Sequence, residues 1–136
     1  MLKDLIDQLC DDVKIAKVED NKEKIYEVWI NEDVKITFFD KEEKKIYFWS
    51  SLFTLPKENR EDLFIYLMKA NFLGQGTGGA TIGATADDKF LTLSYIMPYE
   101  INYQEFRDKV EDFVNYLVYL REEIETLIEK QRQNIY

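Results

Sequence analysis

All five glycines of the chain lie within ten positions, in the run Asn71-Phe72-Leu73-Gly74-Gln75-Gly76-Thr77-Gly78-Gly79-Ala80-Thr81-Ile82-Gly83. Nowhere else does the backbone have such freedom, and that run decides the reading. A glycine loop that cradles phosphate follows a strand, opens a helix and often ends in Lys with Ser or Thr. Here the order is reversed. An apolar helical segment, Asp62 to Phe72, leads in, and the alternating segment Ala80 to Thr85 leads out. The glycines therefore close a helix and open a hairpin. Gly74 is expected as a left-handed helix cap, Gly76 and Gly78 in a tight turn, and Gly79 and Gly83 where another backbone or helix comes close.

A chain of 136 residues with 46% apolar and 15% aromatic residues and only two prolines can bury a real core, and is expected as one domain spanning 1–136. Its net charge of −9 is spread along the chain, which argues against nucleic acid and anionic membrane as partners, since both require a basic patch. The single cysteine, Cys10, cannot form an internal disulfide. No secretory leader pattern and no long apolar run is present, which reads as a cytoplasmic protein. The chain has no histidine, and so lacks the commonest general base and the commonest metal ligand. We expect no enzyme activity, no cofactor and no metal.

Leu2, Leu5, Ile6 and Leu9 recur at helical spacing and predict a short amphipathic helix that frays after Asp12. Val13 to Glu23 reads as a loop with room for a short strand. Lys24 to Ile30, Val34 to Asp40 and Lys45 to Phe53 read as strands of a meander, turning at Asn31-Glu32-Asp33 and Lys41-Glu42-Glu43. After Pro56 a helix is predicted over Glu61 to Phe72, then a hairpin of Ala80 to Thr85 and Lys89 to Met97, stopped by Pro98. A long amphipathic helix follows from Tyr103 to Lys130, with a fraying tail from Gln131 to Tyr136. The order α-β-β-β-α-β-β-α makes an α+β fold, an antiparallel sheet packed by helices.

Two surfaces stand out. In the third strand Ile46, Phe48, Ser50 and Leu52 alternate with Tyr47, Trp49, Ser51 and Phe53, so both faces carry large apolar groups. Trp29 and Phe39 join the second of these faces if the registers agree. Either helices cover both faces, the long C-terminal one on one side and the short N-terminal one on the other, or part of one face stays open for an apolar segment of a partner. The second helix is apolar nearly all round from Leu63 to Met68. A two-layer protomer has little left to cover its outer side, which favours a twofold dimer. The acidic pairs Asp11-Asp12, Asp87-Asp88 and Glu122-Glu123 lack metal-loop spacing and read as solvated surface.

The element order, with Leu67-Met68-Lys69-Ala70-Asn71-Phe72-Leu73-Gly74-Gln75-Gly76-Thr77-Gly78-Gly79-Ala80, resembles the class I type III secretion chaperones, the CesT/Tir-chaperone family. The likeness continues through Leu91-Thr92-Leu93-Ser94 and Met97-Pro98. It implies an acidic cytoplasmic homodimer, joined through the second helix and following strand at Leu63, Phe64, Leu67, Met68, Phe72, Ala80 and Ile82. It further implies an ATP-independent chaperone that binds the extended N-terminal segment of secreted effectors and keeps it soluble for secretion, with the secretion ATPase as a further candidate partner. Leu5, Leu9, Trp29, Phe39 and Trp49 are the candidate effector anchors, chosen from the apolar pattern. A regulatory binding module of the same fold, similar to YbjN-type proteins, and a small phosphate- or nucleotide-binding enzyme are the alternatives.

Overall fold

The computed structural model describes residues 2–20, 22–42 and 44–134. Its elements are α1 (Leu2–Asp12), β1 (Ile25–Trp29), β2 (Lys35–Lys41), β3 (Lys45–Thr54), α2 (Glu61–Asn71), a 3-10 turn (Phe72–Gly74), β4 (Thr81–Ala84), β5 (Phe90–Pro98) and α3 (Tyr103–Asn134). This is the expected order. The strands form one sheet, β1-β2-β3-β5-β4, whose edge strands are β1 and β4. Between α1 and β1 the described residues form no strand. Asn21 of that loop, Glu43 of the expected β2–β3 turn, and Ile135 and Tyr136 of the tail lie outside the described residues. The fraying expected from Gln131 does not begin there: α3 continues to Asn134, with Arg132 paired to Glu129 at 3.8 Å in the last turn, where a cation suits the helix end.

The described residues gather into two compact units, those up to Ser50 with Ser94–Asp112, and Ser51–Leu93 with those from Phe113 onward. In the first, β1, β2 and β3 pair antiparallel with Ile25 opposite Phe39 and Phe39 opposite Tyr47. Alternation then sends Tyr26, Val28, Ile36, Phe38, Ile46 and Phe48 to one side, where all are buried. The Phe106 ring of α3 lies 5.6 Å from that of Phe38, so α3 covers this side. The stripe Leu2, Leu5, Ile6, Leu9 and Cys10 of α1 is buried as well. Each such side chain contributes roughly 1.5–3 kcal/mol through burial. Tyr103 fastens α1 to the start of α3: its hydroxyl donates to the Asp12 carboxylate at 2.5 Å and reaches the Gln8 carbonyl at 3.4 Å, and Arg107 stands 3.5 Å from Asp12.

In the second unit, Leu63 and Leu67 of α2, Leu91 and Leu93 of β5, and Leu117, Leu120 and Ile124 of α3 are buried. The Arg121 guanidinium donates to the backbone carbonyls of Leu52 and Ser51 at 3.0 and 2.7 Å, which ties α3 to the strand end. The glycine run folds back on itself. A Cβ on Gly74 would lie 2.8 Å from the Gly79 Cα, and one on Gly78 would lie 2.2 Å from the Tyr116 ring, so side chains there have no room. The cap differs from expectation. Phe72 is the C-cap of α2, and the residue that first turns left-handed is Leu73, at φ 54°, with Gly74 following at φ 69°. A short 3-10 turn delays the glycine by one residue, leaving a leucine in a conformation that costs a non-glycine residue on the order of 1 kcal/mol.

Candidate functional site

Among the described residues, two apolar surfaces stand out outside the cores. The first belongs to the first unit. Because Ile25, Phe39 and Tyr47 are in register, and Thr37 is opposite Trp49, the odd-numbered residues of β1, β2 and β3 share the face turned away from Phe106. Trp29, Phe39 and Trp49 are therefore on one side, as the sequence required for them to act together. Phe39 stacks on Tyr47 with ring centres 5.1 Å apart and planes within 4°. Trp29 is 57% exposed, and the Lys35 ammonium sits 5.8 Å from its ring centre. Lys35 also stands 3.8 Å from Glu27. The surface is not covered by α1 in the protomer: Ile25 and Trp29 are exposed, with Phe39, Tyr47 and Trp49 half-buried.

Leu5 and Leu9 are placed elsewhere. Both are 4% exposed or less, in the buried stripe of α1. Their 3-4 spacing marks a helix face that packs inward, and sequence alone does not distinguish that from a face offered outward. Two residues absent from the expected set belong to the open face: Ile25, beside Phe39, and Ile96 of β5, which is exposed while Tyr95, next to it, packs at 5.6 Å against the inward Phe48. The signal for both was period-two alternation within their strands.

The second surface belongs to the second unit. Phe64, Leu67, Met68 and Asn71 of α2, Ile82, Gly83 and Ala84 of β4, and Leu91 of β5 line a groove of about 300 Å³. Of the residues expected at a dimer contact, Leu63, Leu67 and Ala80 are buried within the protomer, Phe64 and Ile82 are half-buried, and Met68 and Phe72 are 73% and 63% exposed. The exposed part is a helical stripe of Ile65, Met68 and Phe72, continued by Leu73. Ile65 and Leu73 were outside the expected set, although Ile65 stands three and seven residues before Met68 and Phe72.

Three phenols are pushed up to about 12, each chiefly by burial: Tyr26, which donates to Asp20; Tyr103, which donates to Asp12; and Tyr66, beside Glu123 and Tyr119. Burial also raises the Cys10 thiol, which disfavours its thiolate. Among the described residues no cluster of His, Cys, Asp or Glu could hold a metal ion, and no helix is long and apolar enough to cross a membrane.

Comparison with known proteins agrees with this geometry. The model of the Tir chaperone protein (CesT) family matches residues 4–121. No curated protein sequence matches the chain. Among solved structures, one chain of the ExsC–ExsE complex superposes with a TM-score of 0.73 at 10% identity, covering 89% of this chain and 91% of that one. The Yersinia pestis type III secretion chaperone SycH, solved with a fragment of YscM2, gives 0.67 at 13% identity, covering 88% and 99%. The heterodimeric ExoU–SpcU complex of the type III secretion system of Pseudomonas aeruginosa gives 0.65 at 13% identity, covering 95% and 96%.

Proposed function

We propose, for a chain that belongs to the Tir chaperone protein (CesT) family, that it is a cytoplasmic type III secretion chaperone whose open sheet face receives the extended N-terminal segment of secreted effectors. The observation that carries this reading is the exposed row of Ile25 and Trp29 on an edge strand, backed by Phe39, Tyr47 and Trp49. An extended chain can lay alternate apolar side chains on such a face and add backbone bonds at the strand edge. Holding a client this way masks its apolar residues and needs no ATP. Leu5 and Leu9 enter the reading only as the packing that keeps α1 in place.

The protomer works as a homodimer joined at α2 and β4, through Phe64, Met68, Phe72 and Ile82 over a base of Leu63, Leu67 and Ala80. The exposed stripe of Ile65, Met68 and Phe72 supports this, because an apolar strip of that size on a helix calls for a partner. Residues 1–136 serve as one chaperone domain, with β3, β5 and α3 each running through both compact units. The role is binding and not catalysis, with no cofactor; a chain without histidine and with its one thiol buried has little with which to build acid-base or nucleophilic chemistry.

The test is to mix the full chain with the disordered N-terminal segment of a candidate effector and, separately, with that effector's folded domain, each with and without ATP. Capture of the extended segment alone, indifferent to ATP and at one dimer per complex, is the expected result. Capture of the folded domain alone would overturn it in favour of a regulatory module of the same fold.

A further inference from the structure

The two edge strands of the sheet differ in what has become of their outward backbone groups. In β4, the Thr85 N–H donates to the Phe90 carbonyl at 2.9 Å, and a Cβ on Gly83 would lie 3.3 Å from the Thr92 hydroxyl directly across. Thr85 therefore points its backbone groups at β5, and by alternation Gly83 and Thr81 do the same. Ile82 and Ala84, and Ala80 just before the strand, point away, toward the edge that an added strand would use.

Two of these three are already engaged by side chains. The Ile82 N–H donates to the Asn71 carboxamide oxygen at 2.9 Å, and the Asn71 amide nitrogen donates to the Ile82 carbonyl at 3.5 Å. One side chain thus occupies both groups that a neighbouring strand would pair. At Ala80 the same is done by Thr77, which is 1% exposed: its hydroxyl donates to the Ala80 carbonyl at 2.5 Å, and its own carbonyl accepts from the Ala80 N–H at 3.3 Å. Ala84 alone remains at the end of the strand, and one residue pair does not hold a strand in place.

We propose that Asn71 and Thr77 are edge guards, which close the outer edge of β4 to strand addition by a second copy or by an extended client, and so restrict docking at α2 and β4 to side-chain packing. The glycine run is what permits it. The fold-back of Gly74 onto Gly79 brings Thr77 to Ala80, and α2 ends where Asn71 meets Ile82. An unguarded edge beside an exposed apolar stripe would be a template for uncontrolled pairing. The inference concerns the protomer's own edge and holds whether or not the client reading does.

The experiment uses the full chain, isotope-labelled, as wild type, Asn71→Leu and Asn71→Asp. The first variant keeps bulk within the apolar groove and removes both bonds; the second keeps the acceptor for the Ile82 N–H. Amide exchange at Ile82 is expected to rise roughly tenfold in Asn71→Leu, about the contribution of one backbone hydrogen bond, and to rise less in Asn71→Asp. Light scattering is expected to show species larger than the wild-type assembly in Asn71→Leu, growing with concentration. Unchanged exchange at Ile82 would overturn the proposal, as would faster exchange with an unchanged size distribution. If Asn71→Leu does not fold, Asn71→Asp decides by the same scattering measurement, since it opens the Ile82 carbonyl: larger species support the guard and a wild-type distribution refutes it.

Discussion

The exposed apolar residues of the two units are alike in kind and differ in the backbone beside them. Around Trp29 they sit on an edge strand. The Ile30 N–H bonds to the Val34 carbonyl across the β1–β2 hairpin, so by alternation Glu27 and Trp29 point their backbone groups outward, and among the described residues these have no counterpart of the Asn71 or Thr77 seal. Around Met68 they sit on a helix whose backbone bonds are spent internally, next to a strand edge that is sealed. Apolar area makes both surfaces sticky. On the function proposed, the availability of backbone would decide what kind of partner each holds, an extended chain at β1 and a preformed surface at α2.

The largest effect should come from placing a charge in the α2 stripe. Met68→Asp puts a carboxylate at a position 73% exposed in the protomer, so the fold should survive while a dimer formed there must desolvate the charge. Dimer affinity is expected to fall by about a hundredfold or more, roughly 3 kcal/mol, as read by sedimentation equilibrium. A dimer of undiminished affinity would show that copies meet elsewhere, and the distinction between the surfaces would fail.

A smaller and separable effect is expected at the other surface. Trp29→Ala removes a large ring that is mostly solvated in the free chain, so melting should shift little, while affinity for an extended effector segment falls roughly tenfold to thirtyfold in calorimetric titration. The dimer should be untouched. If Trp29→Ala and Met68→Asp both weakened dimer and client binding equally, the two surfaces would be one, and the division of labour would be wrong.

Much of this arrangement could be read from the residues, and the reason is periodicity. Alternation in Lys45 to Phe53 and the 3-4 spacing in Tyr103 to Lys130 leave few ways to bury the core, so element order followed directly, whereas the inward face of β3 did not, because both of its faces carry large apolar groups. The family likeness of Leu67 to Ala80 placed the helix–strand joint. Less was legible where a residue has two uses. Leu5 and Leu9 satisfy the pattern of an exposed anchor as well as that of a core stripe, and only their burial separates the two. The left-handed Leu73 was hidden because glycine, the usual occupant of such a position, stands just one residue later. The seal on β4 was hidden for another reason. Asn71 and Ile82 are eleven residues apart, and their bond depends on how α2 and β4 are juxtaposed, which no local pattern records.

The gentlest prediction concerns the link between α1 and α3, on which the open face depends only through the unit that supports it. Tyr103→Phe removes the hydroxyl bonds to Asp12 and the Gln8 carbonyl, and should cost roughly 0.5–1.5 kcal/mol in denaturant unfolding near neutral pH. The pH dependence has a definite sign. The Tyr103 phenol is raised from 10.0 in the unfolded chain to about 12 in the fold, first by burial and then by its bond to Asp12. A neutral phenol is thus the form the fold prefers. Its contribution is complete below pH 10 and is lost as pH rises through about 12, because the unfolded chain gives up that proton first. Tyr26 and Tyr66 are raised to about 12 as well, so the wild type should lose stability steeply across this window. Tyr103→Phe should lose it less steeply, starting from a lower plateau. Parallel curves for the two proteins would mean that Tyr103 holds α1 by shape alone, whereas convergence at high pH would assign the difference to its proton.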